Sequence, residues 1–532
     1  MTKFPIGLQS FEIMREEGYL YIDKTDLVYD LVHSLRYVFL SRPRRFGKSL
    51  LLSTIDNYYK GRRELFKGLK IDSMEHDWNV HPVFHLDFNG GRYDSHGSLK
   101  DVLEQNVAYW ESTYGITPRG TELGQRFAMV LKVAHEQSGR RCVVLVDEYD
   151  KPLLDVLETG YTFNDNGQDR LVEDDNRSEL KAFYSTFKAA SNDLQFVMLT
   201  GITQFAQLSV FSGFNQITDI SMSPRYEAIC GITNDEIDTL LQQPIQALAD
   251  AQGYSYSEAR EQLRLMYDGY HFSRAMKDIY NPFSLIKALF EQEINYWWYK
   301  TGTTTYLMRL LLKTSTNYLD FVGKYYSASE FLNYRADKER PLPMIYQSGY
   351  LTIKDYNRDD DEYLLDYPNQ EVRRGFTIDL GNAIFSGKDK DSNIWVRDVY
   401  RKLKVGDVEF FHQQLTSYLA DIPYSMALGK GQRQREKFFQ LVVYVLISQM
   451  KEFTVRGEKQ SACGRADTIV ETEKYVYIFE YKVDKPASEA IAQIREKGYA
   501  KPYATDGRQV VLIGCTFSST TGTVADWATQ AL

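Results

Sequence analysis

A glycine, lysine and serine triplet, Gly47-Lys48-Ser49, is the strongest chemical signal in the sequence. An apolar stretch that starts at Tyr37 leads into it through a basic loop, and a helical pattern over residues 50–59 follows at once. In this setting the glycine lets the backbone approach an anion, the lysine reaches the outer phosphates and the serine hydroxyl ligates magnesium. The pattern predicts a site for a nucleoside triphosphate, and a basic turn capped by Ser49 is the alternative.

The loop departs from the usual phosphate-binding pattern, which has a glycine where this chain has Arg42. The arginines that are candidates for phosphate contact are Arg42, Arg44, Arg45 and Arg225. Arg45 is preferred because it is nearest to the turn, and a solvated charge is the alternative for each of them. The residues expected to contact the nucleotide here are Arg45, Phe46, Gly47, Lys48, Ser49 and Leu50.

A second apolar strand, residues 143–146, ends in two acids, Asp147 and Glu148. A P-loop ATPase needs such a pair, because one acid holds the magnesium shell and the other orients or deprotonates the attacking water. A third strand, residues 196–199, ends in Thr200, where a polar side chain can sense the γ-phosphate. Because the triplet is also present, a role of the two acids in ATP hydrolysis is favoured over the alternative of a solvated strand end. For Thr200, an ordinary threonine in a turn is an equally good explanation.

Another set of polar residues lies far along the chain, where Asp467 enters one strand and Glu480 and Lys482 lie on the next. Side chains alternate across a strand, so Glu480 and Lys482 share a face. If the strands form a hairpin, Asp467 lies beside Glu480, and two carboxylates converge on one hard cation such as Mg²⁺. This arrangement suits metal-dependent hydrolysis of a phosphodiester. A surface ion pair between Glu480 and Lys482 is the alternative.

Two neighbouring helices offer further groups to the same set. Glu436, on a helix predicted over residues 435–447, is a candidate for an additional carboxylate. Gln493, on a helix predicted over residues 488–497, is a candidate to orient the attacking water. The predicted catalytic residues of the chain are thus Glu148, Glu436, Asp467, Glu480, Lys482 and Gln493, with metal ligands expected at Ser49, Asp147, Asp467 and Glu480.

These residues require elements that bring them together. In the first half of the chain, strands predicted over residues 37–40, 83–89, 142–146 and 196–200 alternate with amphipathic stretches, which indicates a mostly parallel sheet between helices. A polar run over residues 162–177 is expected to be an exposed excursion. Beyond residue 400, an amphipathic region over 410–450 precedes strands at 452–456, 466–470, 475–481 and 510–513, which indicates a separate α/β domain.

Composition limits the class and location of the protein. The 532 residues carry a formal net charge of −9, with 43% hydrophobic and 25% charged residues, which is typical of a globular protein with two or more domains. We expect a cytoplasmic protein without membrane partners, because there is no apolar stretch of about 20 residues and no export signal. The four cysteines are scattered, as expected in a reducing compartment. Residues 401–532 hold 18 basic and 15 acidic side chains, which slightly favours contact with a polyanion there.

Longer segments carry a family resemblance. SRPRRFGKSLLLST, VVLVDEYDKPLLD, YDGYHF, GRADTIV and YIFEYK, together with the N-terminal PIGLQSFEIMREEGYLYIDKTDLV, resemble the bacterial AAA-ATPase-like family that carries a C-terminal PD-(D/E)XK nuclease domain. An arginine at the position of Arg42 is ordinary in that family. The resemblance implies an α/β fold with a P-loop domain over residues 1–230, a mostly helical lid or linker over 231–400 and a nuclease-like domain over 401–532. It further implies ATP binding by Lys48, Ser49, Asp147 and Glu148.

The sequence therefore predicts an ATP-binding, ATP-hydrolysing protein coupled to a Mg²⁺-dependent nuclease-like module, with ATP and Mg²⁺ as its ligands. Its expected macromolecular partner is nucleic acid, with DNA favoured over RNA, and an oligomer is compatible with the family. The alternative is a non-catalytic, ATP-dependent switch or scaffold whose C-terminal domain only binds nucleic acid or a protein partner.

Overall fold

A computed structural model describes residues 2–157, 159–204, 216–298, 321–332, 341–384, 392–419, 432–448, 454–461, 464–505 and 507–532. The chain divides into two compact units, of which the first comprises Met1–Gly302 and Gly323–Glu371 and the second comprises Thr303–Val322 and Val372–Leu532. The predicted division into three parts, with boundaries after residues 230 and 400, stays a prediction. Within the described ranges, no helix is both long enough and apolar enough to cross a membrane.

The first unit consists mainly of helices around a parallel sheet. Its strands are β1 (Tyr37–Ser41), β2 (Val83–Asp87), β3 (Cys142–Asp147), β4 (Thr162–Asp165), β5 (Gln168–Leu171), β6 (Leu194–Gly201), β7 (Thr218–Asp219), β8 (Ile232–Thr233), β9 (Ile279–Tyr280), β10 (Lys324–Ser327), β11 (Thr352–Asn357) and β12 (Glu362–Asp366). Its helices are α1 (Phe11–Glu16), α2 (Thr25–Ser34), α3 (Lys48–Tyr59), α4 (Arg63–Phe66), α5 (Ser98–Thr113), α6 (Leu123–Ser138), α7 (Lys151–Leu154), α8 (Val172–Ala189), α9 (Asn234–Leu240), α10 (Gln242–Gln252), α11 (Tyr256–Tyr267), α12 (Pro282–Glu291), α13 (Ala328–Leu332) and α14 (Leu342–Gln347).

The central sheet has the strand order β2-β3-β6-β1-β7, and every neighbouring pair is parallel. All residues of β1 and β3 are buried, as their continuous apolar sequences require when helices cover both faces of a parallel sheet. The predicted mixed α/β fold with a parallel sheet is confirmed. Because the carboxyl ends of parallel strands meet at one edge, the ends of β1, β3 and β6 lie side by side.

Two parts of the first unit contain elements that the sequence did not predict. The polar run over residues 162–177 is exposed along β5, as expected, and it forms the hairpin β4–β5 and the start of α8. The region predicted as mostly helical also contains a three-stranded antiparallel sheet in the order β10-β12-β11. Its strands are short and rich in tyrosine and acids, so their sequence lacks a continuous apolar run.

The second unit is built on a mixed sheet. Its helices are α15 (Gln370–Ile384), α16 (Ser392–Lys404), α17 (Val408–Leu419), α18 (Gln432–Ser448) and α19 (Ala487–Glu496). The first two residues of α15 belong to the first unit. Its strands are β13 (Thr454–Ser461), β14 (Gly464–Glu471), β15 (Tyr475–Val483), β16 (Gln509–Phe517) and β17 (Val524–Ala531). They follow their chain order in the sheet, and only β15 and β16 pair in parallel.

The sequence prediction for the second unit is confirmed at the level of a separate α/β fold. The amphipathic region predicted over residues 410–450 corresponds to α17 and α18, with 420–431 and 449–450 outside the described residues. The first two residues of the strand predicted at 452–456 also lie outside the described residues, and β13 begins at Thr454. Strand β17 was not predicted. The core between α19 and the sheet includes Ile478, Ile494 and Leu512.

Candidate functional sites

The loop between β1 and α3 has the backbone of an anion site. Gly47, the residue before α3, has a φ of 94°, a left-handed conformation that glycine adopts without strain. Arg45 is also left-handed, with a φ of 67°. The first N–H groups of a helix have no partner within the helix, and its dipole favours a negative charge at that end. The first N–H groups of the 12-residue helix α3 therefore point to the loop that contains Gly47, as the sequence predicted for an anion site.

Lys48 is buried at this loop, with 4% of its surface exposed. Its Nζ donates to the backbone carbonyls of Arg42 at 3.1 Å and Pro43 at 3.4 Å. The same nitrogen lies 3.5 Å from Oε1 of Glu148. The structure thus brings Lys48 together with Glu148, the residue after β3, although the two are 100 residues apart in sequence.

The two neighbouring strand ends also meet. The Thr200 hydroxyl at the end of β6 donates to Oδ1 of Asp147 at 2.6 Å, and both side chains are buried. The N–H of Glu148 donates to the same oxygen at 3.0 Å. Glu148 has a φ of 50°, an uncommon conformation for a residue with a side chain, and such strained backbone clusters at functional sites. This turn directs the Glu148 carboxylate to Lys48.

Asp150 is a buried acid at the same sheet edge that the sequence analysis missed. Its Oδ2 accepts hydrogen bonds from the N–H groups of Ile202 and Thr203, at 3.1 Å and 2.7 Å, and from the Thr203 hydroxyl at 2.6 Å. Burial, followed by the charge of Glu148, raises the pKa of Asp150 to about 6. Asp150 therefore ties the turn after β3 to the segment after β6. Its position two residues beyond Glu148 was the available signal.

Arg42 lies outside the candidate site. Only 1% of its surface is exposed, and its Nη1 donates to the carbonyls of Ser41 at 2.9 Å and Ser221 at 2.8 Å. Its guanidinium lies 4.1 Å from the ring centroid of Phe272. Both interpretations of this arginine from the sequence are wrong, because it is neither a phosphate contact nor a solvated charge. Arg42 stands where the usual pattern has a glycine, and its side chain links the end of β1 to the segment that contains Ser221.

A cavity of about 550 Å³ opens beside the loop. The predicted nucleotide-site residues that line it are Arg45, Phe46, Gly47, Lys48, Ser49, Leu50 and Glu148. Asp147 and Thr200 do not line it. Among the other candidate arginines, Arg44 lines the cavity, whereas Arg225 does not and pairs with Asp30 instead. Lys24, Lys151, Asp87 and Asn89, which the sequence analysis did not select, are also on its wall.

The second candidate site lies where β14 and β15 pair. These strands are antiparallel, and Thr468 opposite Phe479 is the last pair of their ladder. Asp467 and Glu480 are the next residue on each strand, so the two acids are neighbours, as the hairpin geometry requires. Oδ2 of Asp467 accepts a hydrogen bond from the N–H of Tyr481 at 2.8 Å. The carboxylate of Asp467 is therefore directed to β15.

Three other predicted side chains surround this acid pair. Nζ of Lys482 lies 3.0 Å from Oε1 of Glu480 and 3.9 Å from Oε1 of Glu436, which α18 contributes. The side-chain amide of Gln493, on α19, donates to the same oxygen of Glu480. All five residues predicted for this site are thus brought together by two strands and two helices.

Gln440, one turn along α18 from Glu436, is an additional residue that the sequence analysis missed. Its Nε2 donates to the backbone carbonyl of Asp467 at 3.1 Å, and only 3% of its surface is exposed. The i, i+4 spacing from Glu436 places both side chains on one face of the helix. Gln440 therefore holds β14 against α18 at the residue that supplies the carboxylate.

Burial and mutual repulsion make the two acids hard to ionise. Burial raises the pKa of Glu480 to about 7, although Lys482 opposes the shift. Burial and the neighbouring charge of Glu480 also raise the pKa of Asp467. Oε2 of Glu480 is buried and has no hydrogen-bond partner among the described residues. In the described ranges, no group of three or more His, Cys, Asp or Glu side chains is placed to hold a metal ion, so this site offers a pair of acids.

Comparison with known proteins identifies a family for each end of the chain. Residues 5–211 match the model of a family described as predicted AAA-ATPase, and residues 434–527 match that of the PD-(D/E)XK nuclease superfamily. A protein of Azotobacter chroococcum mcd 1, described as an uncharacterized protein in the vnfD 5′ region, is 31% identical over 540 residues. That alignment covers 100% of this chain and 99% of the relative. The chain belongs to the predicted AAA-ATPase family and carries a domain of the PD-(D/E)XK nuclease superfamily.

Proposed function

We propose that the first unit binds and hydrolyses ATP in the cavity beside the P-loop. The observation that carries this proposal is the contact of Lys48 with Glu148, 3.5 Å apart, at the mouth of a glycine turn that starts α3. A lysine that reaches the outer phosphates and an acid that activates water are thereby held at the same end of the sheet.

The roles of the other nucleotide-site residues follow from their positions. Ser49, at the second position of α3, supplies a hydroxyl to magnesium, and Asp147 supports the magnesium shell from β3. Thr200 holds Asp147 through its hydroxyl and does not line the cavity, so it positions this acid and does not itself contact the γ-phosphate. Arg45 lines the cavity and contacts phosphate with its side chain. Phe46 and Leu50 contribute backbone N–H groups, since the Phe46 ring packs on Tyr270 with 4.8 Å between centroids.

We propose further that the second unit cleaves nucleic acid with Mg²⁺. The acid pair fits a hard cation, because Asp467 and Glu480 offer carboxylate oxygens and one oxygen of Glu480 is buried without a partner. A cation between them would relieve the repulsion that raises both pKa values. The chemistry that bound magnesium supplies is neutralisation of charge on the phosphodiester and acidification of water.

The remaining side chains of this site would handle the water and the substrate. Lys482 holds its ammonium between Glu480 and Glu436, where it places the attacking water and offsets negative charge on the phosphate. Gln493 orients Glu480 through its amide and presents its oxygen to the water. Glu436 is 34% exposed at its side chain and is the outer carboxylate of the set. The proposed substrate is DNA in preference to RNA, with ATP in the first unit controlling cleavage in the second.

Two single substitutions separate this proposal from the alternative of a non-catalytic, ATP-dependent switch. Lys48→Ala should abolish ATP binding and hydrolysis under both, whereas Asp467→Asn should abolish metal-dependent cleavage and leave ATP binding unchanged. The measurements are ATP turnover and cleavage of single-stranded DNA, duplex DNA and RNA with Mg²⁺ or Mn²⁺, each with and without ATP.

Exposed residues in matched settings provide the controls. Lys60→Ala removes a lysine that follows α3 and pairs with Asp56, and Glu489→Gln removes an exposed acid of α19. Neither should change turnover or cleavage. If the wild-type protein hydrolyses ATP but leaves every nucleic acid intact under all these conditions, the nuclease proposal is wrong and the switch is supported.

A further inference from the structure

The cavity beside the P-loop extends beyond the loop itself. Part of its wall comes from residues 5–9, before α1, and from the first turns of α12. Apolar side chains predominate in this part, among them Ile6, Leu8, Phe283 and Ile286. Such a surface matches the flat, largely apolar face of a heterocyclic base, while the cationic loop matches phosphates.

Lys24 is a buried cation on the wall of this cavity. It is 8% exposed, and its Nζ lies 2.6 Å and 2.7 Å from the two carboxylate oxygens of Glu236. Glu236 is fixed in turn, because it accepts from the N–H of Thr233 at 2.8 Å in the capping box of α9. On the other side, Thr25 follows Lys24 and is held by Asp23 at 2.6 Å. Glu236 and the turn at Asp23 therefore fix the side chain of Lys24, a residue that lines the cavity.

The pairing of Lys24 determines what it can offer a ligand. A lysine ammonium has three donors and no acceptor, and two carboxylate oxygens accept from two of them. One donor remains, while Glu236 compensates the charge. Burial also lowers the pKa of Lys24, which is the direction expected for a desolvated ammonium. Such a group suits a neutral acceptor, whereas Arg44 and Arg45, which also line the cavity, supply exposed positive charge for phosphates beside Lys48.

We infer that Lys24 is a specificity residue of the nucleotide site, which donates a hydrogen bond to a neutral acceptor on the nucleoside part of the bound triphosphate, a ring nitrogen or a ribose oxygen. This inference rests on the proposed ATP binding and adds a contact that the phosphate loop does not make. Lys24 then contacts the nucleoside part of the ligand, and Lys48 contacts the phosphates.

Calorimetric titration of the full-length protein with Mg·ATP and with magnesium tripolyphosphate tests this division. Tripolyphosphate keeps the phosphates and lacks the nucleoside. Lys24→Met should weaken ATP binding about tenfold and leave tripolyphosphate binding unchanged, because one hydrogen bond to the nucleoside is lost. Lys48→Met should weaken binding of both ligands. The matched control is Lys132→Met, which removes an exposed lysine that lies 3.9 Å from Glu136 and should change neither.

A second variant guards against misfolding, since Lys24→Met leaves the half-buried Glu236 without its partner. The double substitution Lys24→Met with Glu236→Gln removes both charges and keeps a residue that suits the capping box. It should show the same selective loss of ATP binding. Equal loss of both ligands in both variants, or no loss of either, would overturn the inference. If the wild-type protein binds neither ligand, the proposed ATP binding itself fails, which is a distinct result.

Discussion

The candidate site of the first unit centres on a buried lysine, Lys48, whereas that of the second unit centres on a pair of acids, Asp467 and Glu480. Lys48 is held by two backbone carbonyls and Glu148, which are negative or partially negative partners that a phosphate can replace. Asp467 and Glu480 instead repel each other, and burial raises both pKa values. This difference in charge is the basis for proposing an anion as the ligand of the first site and a cation as the ligand of the second.

The two sites also differ in how their backbone is used. At the first site the chain bends into left-handed conformations at Arg45, Gly47 and Glu148 next to the reacting groups. At the second site the acids lie on strands in regular antiparallel register, and helices bring the other side chains. A bent loop exposes N–H groups to phosphate, while regular strands hold carboxylates at a fixed separation for a metal ion.

The largest expected consequence of this difference concerns pH. The folded pKa of Glu480, about 7, lies above its ordinary value of 4.5, so the folded state retains a proton that the unfolded state loses between these pH values. Without divalent ions, the free energy of unfolding of the second unit should fall by about 3 kcal/mol as pH rises from 4.5 to 7. Mg²⁺ at pH 8 should restore it.

Hydrogen-exchange protection of the β14 and β15 amides, measured with EDTA and then with Mg²⁺ at pH 5 and 8, checks this expectation. Glu480→Gln should reduce both the pH dependence and the gain from Mg²⁺, and Glu489→Gln should change neither. If the protection of the wild-type protein is the same at both pH values, the pKa of Glu480 is not raised in the folded state. The contrast in charge between the two sites would then be lost.

The residues that one sequence pattern identified together at each site lie close to one another along the chain. Gly47, Lys48 and Ser49 form one local unit, so strand, turn and helix identified them together. Asp467 and Glu480 are joined by a short connection after β14, which made their pairing predictable from a hairpin. The carboxylates of Asp147 and Glu148 were similarly evident at the end of one buried strand.

Three features that depend on contacts between distant segments were not predicted. The burial of Arg42 depends on the carbonyl of Ser221, and the role of Asp150 depends on Thr203, each far away in sequence. Gln440 carries no signal of its own, because its function arises only when β14 packs on α18. An arginine or a glutamine in a sequence does not indicate whether it meets solvent or a backbone carbonyl.

A smaller effect is expected at Gly201, which follows Thr200 at the end of β6. A Cβ there would lie 2.6 Å from the Tyr149 ring and 2.7 Å from Oδ1 of Asp150, and both neighbours are buried. Gly201→Ala should therefore destabilise the first unit by about 1–3 kcal/mol and lower ATP turnover by displacing Thr200 from Asp147. Thermal unfolding and ATPase assays measure these effects.

Gly90→Ala is the matched control, since no atom lies within 4 Å of a Cβ at that position. It should leave both the unfolding temperature and turnover unchanged. If Gly201→Ala behaves like this control, the segment after β6 can move without cost, and Asp150 does not fix the edge of the sheet that the anion site depends on.

The smallest effect distinguishes two arginines of the first unit. Arg45 lines the cavity and lies 4.9 Å from the ring centroid of Phe283, whereas Arg225 pairs with Asp30 away from the cavity wall. Arg45→Ala should raise the KM for ATP about fivefold, less at high salt because the contact is exposed. Arg225→Ala should leave both the unfolding temperature and the KM for ATP nearly unchanged, because its ion pair with Asp30 is exposed.

Steady-state kinetics at two salt concentrations separate these outcomes. A rise in KM for Arg45→Ala that shrinks with salt would place an uncompensated positive charge at the phosphates, in contrast to Arg225, whose charge is already paired. Equal KM values for both variants would mean that Lys48 and the N–H groups of α3 suffice for phosphate binding. The first site would then bind phosphate through backbone N–H groups and one lysine, whereas the second site is formed by side chains alone. The difference between the two sites would be larger than the one described above.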